Sequence, residues 1–362
     1  MIGRRALVRC DVPHTSGSKV RVSRQLRLLG ALAAVIGATL FVWSVRRAGA
    51  SAVTEGLKRV GAGFVVVFLL GGVRSLFRAV AWRLCLDPEH RLTVGSIFTA
   101  YLAGDAIGNV TPFGFLISEP AKIVLVRTRI DVPVSVAALA VENLFYSATV
   151  VAMLVTGTAA LLLSFAVPRP IRIASLVTLA AALALAVVAT WITLTRRRIV
   201  SGAAEWLIRR RIAVAYLRER LPHIRQTGDR IFGFVERRSE AVVAILALEV
   251  SYHVAAVAEI WFALGLITGT RPDLLTAFVL EYVNRTITIA FQFVPMWLGV
   301  DEAGTSLATS VLNLGSAAGV SLALVRKTRV LLWTAIGIAV LLHRGLSLSG
   351  TAREAEALDI EH

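Results

Sequence analysis

Two arginines one helical turn apart, Arg74 and Arg78, lie inside the apolar run Val60–Leu86. At that spacing they share a helix face with Trp82. Counted back from the run's inner end near Asp87, Arg74 sits ~18–20 Å along a helix rising ~1.5 Å per residue. Snorkelling serves Arg83 and at the margin Arg78, but not Arg74. A charge at such depth is costly and faces a partner or a cavity. Planar guanidinium donors suit a lipid phosphate. They equally suit Glu119 or Glu142 as internal struts, and the two roles could alternate between states.

The carboxylates with the most suggestive placement are Glu119 and Glu302. They occupy two segments that break the apolar pattern, GNVTPFGFLISEP (Gly108–Pro120) and QFVPMWLGVDEAG (Gln292–Gly304). Asn109 and Gln292 each stand three residues before a proline, Pro112 and Pro295, and each glutamate stands seven residues after it, 183 residues apart. Such glutamates could bond a hairpin backbone, bind a cationic headgroup or carry a coupling proton. Thr111, Gly114, Lys122, Gly299 and Arg326 complete the candidate binding set around these segments. Glu249 and His253, at i and i+4, read as a satisfied buried pair, with a proton relay as the sharper alternative. Glu281 and Arg285 read as a simple ion pair. Trp297 and the other tryptophans read as packing or interfacial anchors.

These residues need elements to hold them, and composition says which. The 362 residues are 56% hydrophobic with mean hydropathy +0.73. A bilayer-spanning helix needs about 20 apolar residues. Leu28–Val45, Val60–Leu86, Pro133–Val167, Ile171–Leu194, Ala241–Ile267 and Val330–His343 fit that pattern, while Val94–Val126 and Leu274–Val325 are apolar but broken. The chain is therefore expected to be an all-α integral membrane protein. Leu28–Val45 reads as a retained anchor, because it exceeds a signal-peptide core and Arg46-Arg47 follow directly.

The net charge of +16 is concentrated in two places. Residues 196–238 hold twelve arginines against four acids, and the tail 1–27 adds more. Both are placed on the cytoplasmic side by the positive-inside rule. Ile224, Gly228, Ile231, Phe232 and Val235 would share one helical face there, suited to lying on anionic headgroups; a plain topology signal explains the charge as well. Nucleic acid is not implied.

With the N-terminus inside, the arginine segment returns to the cytoplasm only if Val94–Val126 enters and leaves on one side. A second hairpin at 292–304, on the outer side, lets the next helix return with Arg326–Arg329 inside, and a last helix exits to leave the acidic tail 349–362 outside. Irregular backbone is tolerated at membrane depth when it lines a cavity or is buried in protein. Hairpins of opposite sense are the pattern of inverted-topology repeats, which hold substrate near the midplane. The organisation expected is a membrane domain over 28–348, with a first repeat at about 60–194, the basic loop 195–238 and a second repeat at about 239–348.

The motif N-x-x-P-x-G-x-x-x-x-E-P-x-K (Asn109, Pro112, Gly114, Glu119, Pro120, Lys122), paired with P-x-x-x-G-x-x-E (Pro295, Gly299, Glu302) and preceded by Arg74, Arg78 and Trp82, resembles the transmembrane, flippase-like domain of lysylphosphatidylglycerol synthases. The resemblance spans roughly residues 28–345. It implies a polytopic helical bundle with two re-entrant hairpins and the movement of a lipid between leaflets of an inner membrane. Only fourteen residues follow Leu348, so the soluble aminoacyltransferase domain of full synthases, and lipid lysinylation, are not expected. Relatives carry a pattern like E-R-x-x-D where this chain has Glu142-Asn143-Leu144-Phe145-Tyr146, and Ser118 replaces a customary glycine. A distant branch with a different lipid is implied.

The function expected is a flippase-like transporter of an anionic or amphipathic lipid (phospholipid, polyprenyl or hopanoid type) working by alternating access. A non-transporting scaffold for lipid or glycolipid assembly and a membrane-embedded lipid transferase are the alternatives. The sequence lacks H-E-x-x-H, G-x-S-x-G and P-loop motifs, its six histidines are scattered, and Cys10 and Cys85 have no metal spacing. No enzyme activity, cofactor or metal is expected. Membrane lipids are the expected partners, and an oligomer is compatible with the sequence.

Overall fold

The computed structural model describes residues 39–90, 92–111, 114–194, 228–231 and 233–343, and all regular structure among them is helical. A helix described over 39–48 (α1) leads to Ala50–Val60 (α2), a 3-10 turn at Gly61–Gly63 and Phe64–Cys85 (α3). Val94–Val110 (α4), Gly114–Val126 (α5), Val132–Ser164 (α6) and Arg169–Leu194 (α7) follow. Beyond the basic segment come Ser239–Thr268 (α8), Leu274–Ala290 (α9), Val300–Val311 (α10) and Ser316–His343 (α11). The tails 1–27 and 349–362, and residues 195–227 and 232 of the basic segment, lie outside the described residues; of its expected amphipathic face Gly228, Ile231 and Val235 are described, with Ile231 packed against the core and Val235 exposed.

Among the described residues, four helical runs are long and apolar enough to cross a membrane: Ala50–Cys85, Val132–Ser164, Arg169–Val188 and Ser239–Thr268. They turn large apolar side chains outward, Leu69, Leu163, Val187, Val243 and Val254 among them, each more than half exposed. Water would penalise such a surface, whereas lipid tails accept it. The chain is an all-α membrane protein.

A pattern of lengths recurs along it. A long helix (α3), a 17-residue helix (α4), a turn, a 13-residue helix (α5) and a long helix (α6) are followed later by α8, a 17-residue α9, a turn, a 12-residue α10 and α11. The two leading helices, α3 and α8, pack on each other along most of their length.

The two turns are built differently. Thr93 caps α4 through its hydroxyl, which accepts from the Ser96 N–H, and the helix ends at Thr111 in extended conformation (φ −108°, ψ 140°). That is the conformation residues before proline favour. Gly104 and Gly108 let α5 fold back closely, since a Cβ at Gly108 would stand 2.8 Å from the Ser118 Cβ. After α9, by contrast, Met296 and Trp297 both take φ 51°, a left-handed conformation that bulky residues rarely adopt. The Trp297 indole holds the turn by donating to the Thr288 carbonyl at 3.0 Å. Gly299 follows with φ 81°, and its N–H donates to the Glu302 carboxylate at 2.7 Å, capping α10.

One expectation is overturned. Arg326–Arg329 were placed at an inner-side reversal before a separate helix Val330–His343. Instead α11 runs unbroken from Ser316 to His343, with these cations at its middle. Asp301, Glu302 and Glu259 supply countercharges there, so the cations have no need of an interface.

Two apolar cores flank this level. One gathers Trp82, Leu86, Ile97, Ile107, Val126, Leu139 and Ile245, and the other Val67, Leu154, Ile260, Leu264, Leu280 and Leu322. Between them the long helices carry their buried polar residues at matching heights, and a polar layer results.

Candidate functional site

On α3, Arg74 and Arg78 point into different parts of this layer. Arg78 grips Glu142 of α6 through Nε (2.5 Å) and Nη2 (2.9 Å), and Nη2 also donates to the Asn143 side-chain oxygen at 3.1 Å. Asn143 passes the connection on, its Nδ2 donating to Glu119 at 3.0 Å. Glu119 in turn pairs with Lys122, one turn later on α5, at 2.9 Å, and Lys122 reaches Asp105 of α4 at 2.9 Å. Pro120 lies inside α5 between the two. Tyrosine faces receive the cations, with the Arg78 guanidinium 3.6 Å from the Tyr146 ring centroid and the Lys122 ammonium 3.9 Å from that of Tyr101.

Arg74 belongs to a second group. Its partner is Glu259 of α8 at 3.0 Å, with Tyr252 accepting a further hydrogen bond at 3.1 Å and Glu281 standing 4.0 Å away. The sequence pointed to Glu119 or Glu142, and Glu142 is taken by Arg78. Glu281 and Arg285 of α9 form the expected ion pair at 2.9 Å, and Arg285 also donates to Tyr146 at 2.8 Å. Glu259 is shared with Arg329 of α11 at 2.8 Å. Arg326 pairs with Asp301 at 2.7 Å and donates to Thr305 at 2.9 Å, while Lys327 pairs with Glu302.

Glu249 and His253 do not satisfy each other. The His253 Nε2 lies 3.2 Å from the Thr149 hydroxyl, and the fully buried Glu249 carboxylate finds no hydrogen-bond donor, with Arg78 3.8 Å away. Arg78 has two acids competing for it and is bonded to Glu142, which leaves Glu249 aside.

A cavity of about 220 Å³ opens against the second group. Arg74 and Ser75 of α3, Tyr101, Asp105 and Asn109 of α4, Tyr252 of α8, Arg285 of α9, Met296 and Trp297 of the turn, and Arg326, Lys327 and Arg329 of α11 all line it. Both broken segments thus meet one space, the first through α4 and the second through its strained turn. Asn109 donates to Thr334 of α11 at 3.0 Å, tying the end of α4 to that wall.

Of the candidate binding residues read from sequence, Arg74, Asn109 and Arg326 line the cavity, as do Arg285 and Trp297, which the sequence presents as an ion-pair partner and an anchor. Arg78, Glu119, Lys122 and Glu142 form the adjoining ion-pair chain, and Glu302 joins the cavity through Lys327. Thr111 spends its hydroxyl on the Ile107 carbonyl, Gly114 is buried against Gly108, and Gly299 serves the α10 cap. Gln292 is exposed on the turn, unlike Asn109 at the matching position, and Pro295 opens the 3-10 turn. Pro112 lies outside the described residues.

Sequence reasoning missed Glu259, Tyr252, Tyr146, Asp105, Asp301, Lys327 and Arg329. Glu259 was findable, as an isolated acid deep in the apolar helix α8. The tyrosines carried no such signal.

This arrangement holds cations and anions out of lipid at matched positions around a small polar space. Among the described residues no cluster of His, Cys, Asp and Glu is arranged to hold a metal ion. None of the curated proteins or solved structures compared with the chain matches it. The family model described as the lysylphosphatidylglycerol synthase TM region matches residues 30–338. That match takes in both hairpin segments and every charged residue of the polar layer, and the chain belongs to this family of lipid-related membrane proteins.

Proposed function

We propose that the protein is a flippase-like transporter that moves an amphipathic lipid between leaflets by alternating exposure of the polar cavity, without covalent chemistry. The observation that carries this reading is the convergence of both interrupted segments on one charged cavity flanked by long lipid-facing helices. A headgroup crossing a bilayer needs polar partners at mid-depth, and those partners are buried here with countercharges that a headgroup can displace.

The helix pairs α4–α5 and α9–α10 suit re-entrant hairpins. At ~1.5 Å per residue α5 and α10 reach only ~18–20 Å, short of the ~30 Å hydrocarbon core. The recurring length pattern supports inverted repeats, the first hairpin entering from the cytoplasm and the second from outside. The charge pattern supports an inner-membrane location with the N-terminus cytoplasmic, and the segment 196–238 as a surface for anionic headgroups. A continuous α11 returns the chain to the cytoplasmic side near His343.

The test is lipid scrambling by the purified protein in vesicles. Wild type moves a fluorescent phospholipid, while Arg74→Ala and Glu119→Gln slow it; an inert wild type, or variants that match it, would refute the reading.

A further inference from the structure

One acid of the polar layer is left without a partner. Asp105 and Glu119 share Lys122, Glu142 holds Arg78, Glu259 serves Arg74 and Arg329, and Glu281, Asp301 and Glu302 answer Arg285, Arg326 and Lys327. Those seven acids meet seven cations, so the paired layer is neutral. Glu249 is the acid beyond that balance. It is fully buried, and neither of its carboxylate oxygens has a hydrogen-bond donor. Arg78 stands 3.8 Å away, with the same Nε turned to Glu142 at 2.5 Å. An ionised carboxylate held in that way is costly, whereas a protonated one is neutral and needs no cation.

The elements packed around Glu249 offer it nothing else. From α3 come Arg78 and the buried Cys85 thiol, and from α6 comes Glu142, an acid like itself. On α8, His253 lies one turn on and meets Thr149. Farther along α8, α9 brings Arg285 to Tyr252, α11 brings Arg329 to Glu259, and α2 packs near Ile267. Before α8, Arg238 turns to the Leu86 carbonyl and to Glu240. We infer that Glu249 is a proton-binding site whose proton decides which acid holds Arg78. With the proton on Glu249, Arg78 bonds Glu142, as it does here. When the Glu249 O–H gives its proton to water, the new carboxylate draws the guanidinium from Glu142; no other covalent bond changes. Arg78 also donates to Asn143, which holds Glu119 of α5, so the exchange of partners loosens the grip of α6 on the first hairpin. Hairpin movement, and lipid movement with it, is thereby coupled to a proton. That coupling rests on the transporter reading, while the proton site does not.

The site is tested by infrared spectroscopy of the full chain in dodecyl maltoside micelles. A protonated carboxyl group gives a carbonyl band apart from the carboxylate bands, and the band shifts in D2O, unlike that of a lipid ester. Wild type shows this band at neutral pH, and Glu249→Gln lacks it. Glu142→Gln lacks it too, because Arg78 then turns to Glu249 and the proton leaves; this second variant decides the matter should the first not fold. Glu55→Gln, at an exposed pair with Arg59, keeps the band. A wild type without the band, or a band that persists in Glu249→Gln or in Glu142→Gln, overturns the proposal. Coupling is read in vesicles holding a trace of fluorescent phospholipid and a pH difference of about one unit. With one proton per lipid the leaflet ratio shifts by up to about tenfold in wild type and collapses with a protonophore, whereas Glu249→Gln shows no shift. A wild-type ratio that ignores the gradient overturns the coupling. A wild type that moves no lipid, yet shows the band and loses it in both variants, refutes transport and leaves the proton site standing.

Discussion

At the scale of single residues, the polar layer depends on pairing rather than on charge as such. Arg78 is the clearest case, with two bonds to Glu142, one to Asn143 and a tyrosine face beneath it. Removing one partner leaves a buried charge exposed to an apolar surround, at about 3–5 kcal/mol, while replacing both with neutral groups is far milder. Arg78→Ala therefore lowers thermal stability in micelles severely, and Arg78→Gln combined with Glu142→Gln recovers most of the loss. Melting curves followed by circular dichroism check this, and a double variant no better than the single one contradicts the pairing. Asn143 adds a second lesson. It stands where relatives are expected to carry an arginine, and here its amide bridges Arg78 to Glu119 as a neutral group that both accepts and donates.

At the scale of elements, the two turns respond to opposite changes. The α4–α5 hairpin closes on Gly108, where any Cβ meets Ser118 and the Gly114 carbonyl oxygen. Gly108→Val separates the helices and lowers stability by about 1–3 kcal/mol, the range for overpacking a tight contact. The second turn holds Met296 at φ 51°, where a glycine fits without strain and a β-branched residue does not. Met296→Gly is tolerated, whereas Met296→Val destabilises by about 1–3 kcal/mol; equal melting temperatures for the two variants count against the strained turn. Both interruptions were legible because proline and glycine punctuate apolar sequence whatever the tertiary context. The continuity of α11 was not, since Arg326-Lys327-Thr328-Arg329 looks like an interfacial boundary until Asp301, Glu302 and Glu259 are known to face it. Spacing reports which residues share one helix face, as for Glu281 and Arg285. It does not report partners chosen across helices, which is why Arg74 was assigned the wrong acid and Tyr252 went unnoticed.

At the scale of the whole molecule, the order of long helix, hairpin and long helix occurs twice, and the proposed inverted repeats would have the two hairpins enter from opposite faces of the membrane. Cysteine labelling in a background without Cys10 and Cys85 reads this directly. Thr128→Cys, exposed after α5, labels from the cytoplasmic side, and Asp273→Cys, exposed before α9, labels from outside. Same-sided labelling is incompatible with inverted repeats. The central claim, that a lipid crosses by way of the polar cavity, is tested most directly by dithionite bleaching of a fluorescent phosphatidylglycerol in vesicles holding the full chain. With wild type, the inner-leaflet fraction becomes bleachable within the assay, and Arg74→Ala and Glu119→Gln, shown to be folded by gel filtration, protect it for longer. Should the inner leaflet stay protected in wild-type vesicles, or be lost equally fast with both variants, the account is contradicted.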